Sequence, residues 1–156
     1  MRIRQSSDRL SHSSGLDRHY GMNGDDPSAR LRLTALVVLH LVISIAHGTA
    51  HDGAHVPMSL AAKAFVVLVV VGAPLVGLAL LWWKPQAGSW VIASAMAGSF
   101  AFGVVNHFVF TGPDHVARVA ADWRPLFAST ALLLALTEAM AAALAFGLAR
   151  ERTLTA

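Results

Sequence analysis

After a polar leader, the chain alternates between long apolar runs and short polar breaks. Four runs stand out: about 31–55 (LRLTALVVLHLVISIAHGTAHDGAH), about 59–83, about 88–110 and about 126–149. Residues 64–83 contain no charged side chain at all. A helix crossing a bilayer needs about 20 mainly apolar residues, and each run is long enough. In lipid the backbone must satisfy its own hydrogen bonds, so runs of this kind are helices rather than strands. The breaks are short: Val56-Pro57-Met58, then Lys84-Pro85-Gln86-Ala87, and one longer loop, residues 111–125. Short links make neighbouring helices antiparallel. The predicted fold is all-α, a four-transmembrane-helix up-down-up-down bundle.

Residues 1–28 lack an apolar stretch and read as a disordered polar arm rather than a signal peptide. Two starts, Met1 and Met22, are open for it. The membrane domain is expected over residues 29–152, followed by a short tail at 153–156. Six of the twelve Lys and Arg residues precede the first run: Arg2, Arg4, Arg9, Arg18, Arg30 and Arg32. Lys84, Arg150 and Arg152 fall on the same side of the predicted bundle; Lys63, Arg118 and Arg124 fall on the other. The positive-inside rule then places both termini in the cytoplasm of a cell whose plasma membrane holds the protein. Trp82, Trp83 and Trp90 fit an interfacial belt, and Trp123 falls in the long loop. Pro74, between Gly72 and Gly77, predicts a kink in the second run. Small residues mark packing faces, Ala93, Ala97, Gly98, Ala101 and Gly103 in the third run and Ala135, Ala139, Ala142 and Ala143 in the fourth.

Composition agrees with a lipid environment. Apolar residues make up 55% and charged residues 13%, against about a quarter charged in a soluble domain. There is no cysteine, which removes disulfides, thiolate metal sites and cysteine nucleophiles. The leader arginines control topology more simply than they bind nucleic acid. Neither a phosphate-binding glycine loop nor a G-x-S-x-G elbow occurs, and Ser94 and Ser99 offer no nucleophile by spacing. Enzyme status is left open by the sequence.

Eight histidines are the anomaly. His12 and His19 belong to the leader. His40, His47 and His51 follow at i, i+7 and i+11, within roughly 40° around a helix at 100° per residue. His55 continues the stripe if the helix persists past Gly53. Histidines facing lipid are costly, so the stripe should face the bundle interior. Glu138 is the one charged residue of the fourth run and shares a depth with His40. Asn106 and His107 fall near the level of His47; Asp114 and His115 fall near His51, Asp52 and His55.

These groups suggest four functions. The first is a transition-metal site for zinc, copper or iron, with His47, His51 and His107 as core ligands and His55, His115, Asp52 or Asp114 completing it. The second is haem b, with His47 or His51 pairing His107 as axial ligands. The third is a proton-coupled transporter in which Glu138 and His40 form a buried pair or proton relay. Small multidrug transporters also have four helices, but their essential Glu lies in the first. The fourth is an accessory subunit of a larger membrane complex, or a homo-oligomer.

The runs His47-Gly48-Thr49-Ala50-His51, Asn106-His107-Phe108 and Gly112-Pro113-Asp114-His115-Val116 resemble those of small uncharacterised four-helix integral membrane proteins of bacteria. The resemblance spans about residues 31–149 and implies a fold but no activity.

Overall fold

A computed structural model describes residues 27–155, with side chains to residue 151. Residues 1–26, with His12 and His19, and residue 156 lie outside the described residues, and the last two positions of the expected arm, Pro27 and Ser28, belong to the first helix. Four helices follow in chain order: α1 (Pro27–Gly53), α2 (Leu60–Trp83), α3 (Pro85–Val109) and α4 (Arg124–Thr155). Each is long and apolar enough to cross a membrane. No strand occurs among the described residues. α1 begins four residues before the apolar run. Pro27 has no N–H to leave unpaired at the first helical position, and Arg32 donates to the Ser28 hydroxyl one turn back at 3.0 Å.

The helices pack in the order α1, α4, α3, α2. α4 lies against both α1 and α3, and α2 lies against α3. α1 and α2 meet only sparsely, mainly toward the end of the bundle that carries Pro27, Lys84 and Thr155. That end, called here the terminal end, holds the main apolar core: Leu33 and Val37 of α1, Leu81 of α2, Ile92 and Met96 of α3, and Leu148 of α4, all fully buried. The fourth helix presents Ala141, Ala145 and Ala149 to its neighbours. The expected Ala135, Ala139, Ala142 and Ala143 are half-buried or exposed instead, as are Ala97 and Ala101 of α3. Alanine is so frequent in these helices that several four-residue ladders compete. Only the neighbours choose among them.

Outward-facing side chains are large and apolar, Ile45, Leu68, Leu132 and Trp83 among them, as a lipid-facing surface requires. Two turns depart from α geometry, Val66–Gly72 and Val105–Val109, where the backbone widens to i→i+5 bonding. The expected kink at Pro74 takes this form. Proline supplies no N–H for the carbonyl four residues back, Val70, and the chain relaxes into a wider turn before it.

At the α2–α3 link, Lys84 donates to the Leu80 carbonyl at 2.6 Å and Gly88 to the Lys84 carbonyl at 2.9 Å. Gly88 is wedged there: a Cβ would collide with the backbone of Leu80 and Leu81, whereas one at Gly147 would meet nothing within 4 Å. Gly88→Ala should therefore destabilise the protein by about 1–3 kcal/mol. Gly147→Ala should be neutral or stabilising by up to about 1 kcal/mol through helix propensity. Thermal unfolding of the two variants in one detergent checks the contrast.

Candidate metal centre

The polar residues gather in the half of the bundle away from the termini, the loop end. His40, His47 and His51 are all buried, so the stripe on α1 faces inward. α1 and α4 are antiparallel, which makes seven residues up α1 correspond to about eight residues down α4. The register pairs His40 with Glu138 and His47 with Thr130.

At mid-bundle, His40 is fully buried and Glu138 nearly so. His40 Nε2 donates to the Val70 carbonyl at 3.0 Å. This is the carbonyl that Pro74 cannot serve. With that nitrogen carrying a proton, His40 Nδ1 faces Glu138 Oε1 at 3.5 Å. Ser44 donates to the His40 carbonyl at 2.8 Å, bracing the turn.

Two turns along α1, His47 meets His51 and His107. One donor nitrogen from each of these three buried rings lies within 4.8 Å of the others. α3 delivers His107 from its widened last turn, closed by Phe110 donating to the Val105 carbonyl at 2.7 Å. Phe127 of α4 forms the apolar floor, with ring centroids 4.7 Å from His47, 4.8 Å from His51 and 5.1 Å from His107.

Hydrogen-bond partners fix the protons on these rings. Thr130 commits its one hydroxyl hydrogen to the helix carbonyls of Leu126 (2.6 Å) and Phe127 (3.1 Å). Its oxygen therefore accepts from His47 Nδ1 at 2.9 Å. His107 Nδ1 faces only acceptors, the Asp114 carbonyl at 3.1 Å and Asp114 Oδ2 at 3.6 Å. A neutral imidazole has one donor and one acceptor nitrogen, so Nε2 of both rings is left with a lone pair. These two atoms face each other at 3.3 Å. His51 Nε2 lies 3.2 Å from Asp114 Oδ1, and its buried Nδ1 has no partner. His47 and His107 are thus each held by an acceptor at Nδ1 and leave Nε2 bare, while His51 stands against the Asp114 carboxylate without a hydrogen bond to it.

The residues between α3 and α4 hold Asp114 behind the rings. His115 accepts from the Ala117 N–H at 3.2 Å and so starts a short 3-10 turn, Val116–Arg118. Arg124 donates twice to the Val119 carbonyl, at 3.2 and 3.0 Å. Val119 is buried against Ala50 and Phe127. The Trp123 ring lies over Gly53 so closely that any Cβ there would run into it.

Four sequence candidates fall elsewhere than the three rings. α1 ends at Gly53, and His55 turns away, exposed and in the left-handed region at φ 52°. Helix periodicity cannot extend past that end, so His55 leaves the stripe. His115 spends a ring nitrogen on its own turn. Asp114 stands behind the rings, accepting from His107 with its carbonyl and facing His51 with its carboxylate. Asp52 is exposed at the rim. Thr130, Phe127 and the Val70 carbonyl were not among the sequence candidates. Thr130 had one available signal, its place eight residues before Glu138.

Truncating one member of the mid-bundle pair leaves the other buried without its partner, at about 1–3 kcal/mol. His40→Leu and Glu138→Leu should each destabilise, and the double variant should lose less than the sum of the two. A double-mutant cycle by thermal unfolding in detergent reads the coupling. Compared with models of known families, with curated proteins and with solved structures, the chain shows no match.

Proposed function

We propose that this chain is an integral membrane protein that binds one transition-metal ion through His47, His51 and His107. The observation that carries the reading is the pair of bare Nε2 atoms of His47 and His107, 3.3 Å apart. Two lone pairs at that distance repel unless a cation lies between them. Two nitrogens each 2.0–2.1 Å from one tetrahedral ion are about 3.3–3.4 Å apart. The Asp114 carbonyl on the far nitrogen of His107 matches the pattern of metal-binding histidines, whose other N–H is held by a carboxylate, backbone carbonyl or water, and the Thr130 hydroxyl offers His47 an acceptor oxygen in the same place. Imidazole donors suit zinc, copper or non-haem iron, and three protein ligands leave one position open.

Haem b is less well supported. Axial histidines lie on opposite faces of a porphyrin, whereas His47 and His107 touch directly in a T-shaped contact with ring centroids 4.9 Å apart. The cavity beside them measures about 210 Å³, smaller than the roughly 300–1,000 Å³ of pockets that take drug-sized ligands. The distribution of Lys and Arg supports termini in the cytoplasm, which would put the metal centre toward the outer leaflet.

Untagged protein purified without chelators should carry close to one equivalent of metal by elemental analysis. His47→Ala should abolish it. Thr130→Val, which keeps shape and removes only the acceptor, should weaken affinity about 10- to 100-fold. His55→Ala and His115→Ala should leave stoichiometry unchanged. Metal-free protein whose unfolding ignores added zinc, copper and iron would overturn the proposal.

A further inference from the structure

The cavity of about 210 Å³ reaches from the three histidines to Glu138 at mid-bundle, between walls that are mainly apolar. Phe102, Leu134, Val66 and Ala135 supply much of that wall. Apart from Ser44, its polar groups sit at its two extremes. One is the metal centre; the other is Glu138 with Ser99.

Ser99 is the one buried hydroxyl without a partner among the described residues. Ser44, Thr49, Ser89, Thr130 and Thr137 each donate to a carbonyl one turn back. Ser99 is 2% exposed, lines the cavity, and its Oγ has no partner. A buried hydroxyl without a partner is costly, and a ligand that meets it removes the cost.

The way in is lateral. α1 and α2 are joined by the His40–Val70 hydrogen bond at mid-bundle, and beyond it toward the loop end the two helices hardly touch. Gly48 of α1 and Val66 of α2 face the cavity across that gap. Gly48 is exposed, and a Cβ on it would meet nothing within 4 Å. In a membrane such a gap opens onto acyl chains rather than water.

We infer that the cavity is a binding chamber for a lipid-borne, single-chain amphiphile with an uncharged oxygen head group, a long-chain alcohol or carbonyl, admitted between α1 and α2. The head is uncharged because a charged one would be dehydrated at mid-membrane depth. A hydroxyl or carbonyl oxygen accepts from Ser99, and a hydroxyl also donates to Glu138. A dry cavity of about 150 Å³ holds benzene, so about 210 Å³ takes the head and the first several carbons. The rest of the chain lies in the gap. The chamber stands on geometry alone; a head that reaches the ion's open position rests on the metal reading above.

The test uses the full chain in nanodiscs with two probes of equal length, a long-chain primary alcohol and an alkane, each carrying a diazirine near one end. After photolysis, peptide mapping should find the alcohol on cavity positions such as Phe102 and Leu134. Gly48→Trp should cut that labelling at least tenfold, and so should Val66→Trp from the opposite wall, which serves if the first variant does not fold. Ser99→Ala should lower labelling by the alcohol at least threefold and leave that by the alkane unchanged. Labels confined to lipid-facing positions such as Ile45 and Leu132, or equal interior labelling in wild type and both tryptophan variants, would overturn the inference. Metal content is measured in every sample. Protein that holds metal yet shows no interior label removes the chamber alone, and labelled protein without metal removes the metal centre alone.

Discussion

An imidazole in a membrane interior has two nitrogens to satisfy and few partners to satisfy them. Everything distinctive about this bundle follows from how that need is met. Two inward-facing rings on α1 find an acceptor for one nitrogen, the Val70 carbonyl for His40 and the Thr130 hydroxyl for His47, and His51 faces the Asp114 carboxylate at 3.2 Å. The acceptor fixes the proton and the ring plane together, and leaves the second nitrogen as a lone pair. Two such lone pairs face each other, Nε2 of His47 and Nε2 of His107 at 3.3 Å, and the His51 ring lies beside them with one nitrogen within 4.8 Å of both rings. The rings come from α1 and α3, while the acceptors behind them come from α2, from α4 and from the segment between α3 and α4.

The rest of the fold divides the labour along its length. The terminal end packs leucine, isoleucine and methionine from all four helices and carries the close approaches at Gly77 and Gly88. The loop end gives up some of that packing. Its helices stand apart, α1 from α2 most of all, and the space between them is lined by the polar groups and by a few apolar side chains. The segment after α3 compensates by folding back, with Val119 and Trp123 sealing the top of the site over Ala50, Gly53 and Phe127. Both widened helical turns fall between mid-bundle and the loop end. One presents the Val70 carbonyl to His40; the other presents His107. Wide turns weaken the local ladder, and they occur here where a backbone group or side chain must be aimed.

Much of this was legible in the chain. Four apolar runs set four helices, and their ends shifted by only a few residues. The i, i+7, i+11 spacing of His40, His47 and His51 marked one helix face, and a lone Glu138 at matching depth marked its neighbour. Other features were not legible, for definite reasons. His55 lay on the periodic stripe, but Gly53 ended the helix that made the period meaningful. His115 carried the right side chain, but its local turn claimed it. Thr130 looked like any hydroxyl in an apolar helix, since its role depends on which turn of α1 it faces. The alanine ladder of α4 was ambiguous because two were available, Ala131-Ala135-Ala139-Ala143 and Ala141-Ala145-Ala149.

What the sequence by itself determined is what depends on periodicity and solvent: helices rather than strands, four of them, antiparallel, with histidines on one face that cannot favourably meet lipid. These follow from hydrogen-bond satisfaction within each segment and from the cost of burying polar groups, both of which act along the chain. What only the tertiary structure decided is which helices are neighbours, that α4 rather than α2 lies closest along α1, and therefore which acceptor fixes each ring and where a gap remains. These are properties of pairs of helices. Packing between two surfaces selects them, and no single segment carries that information.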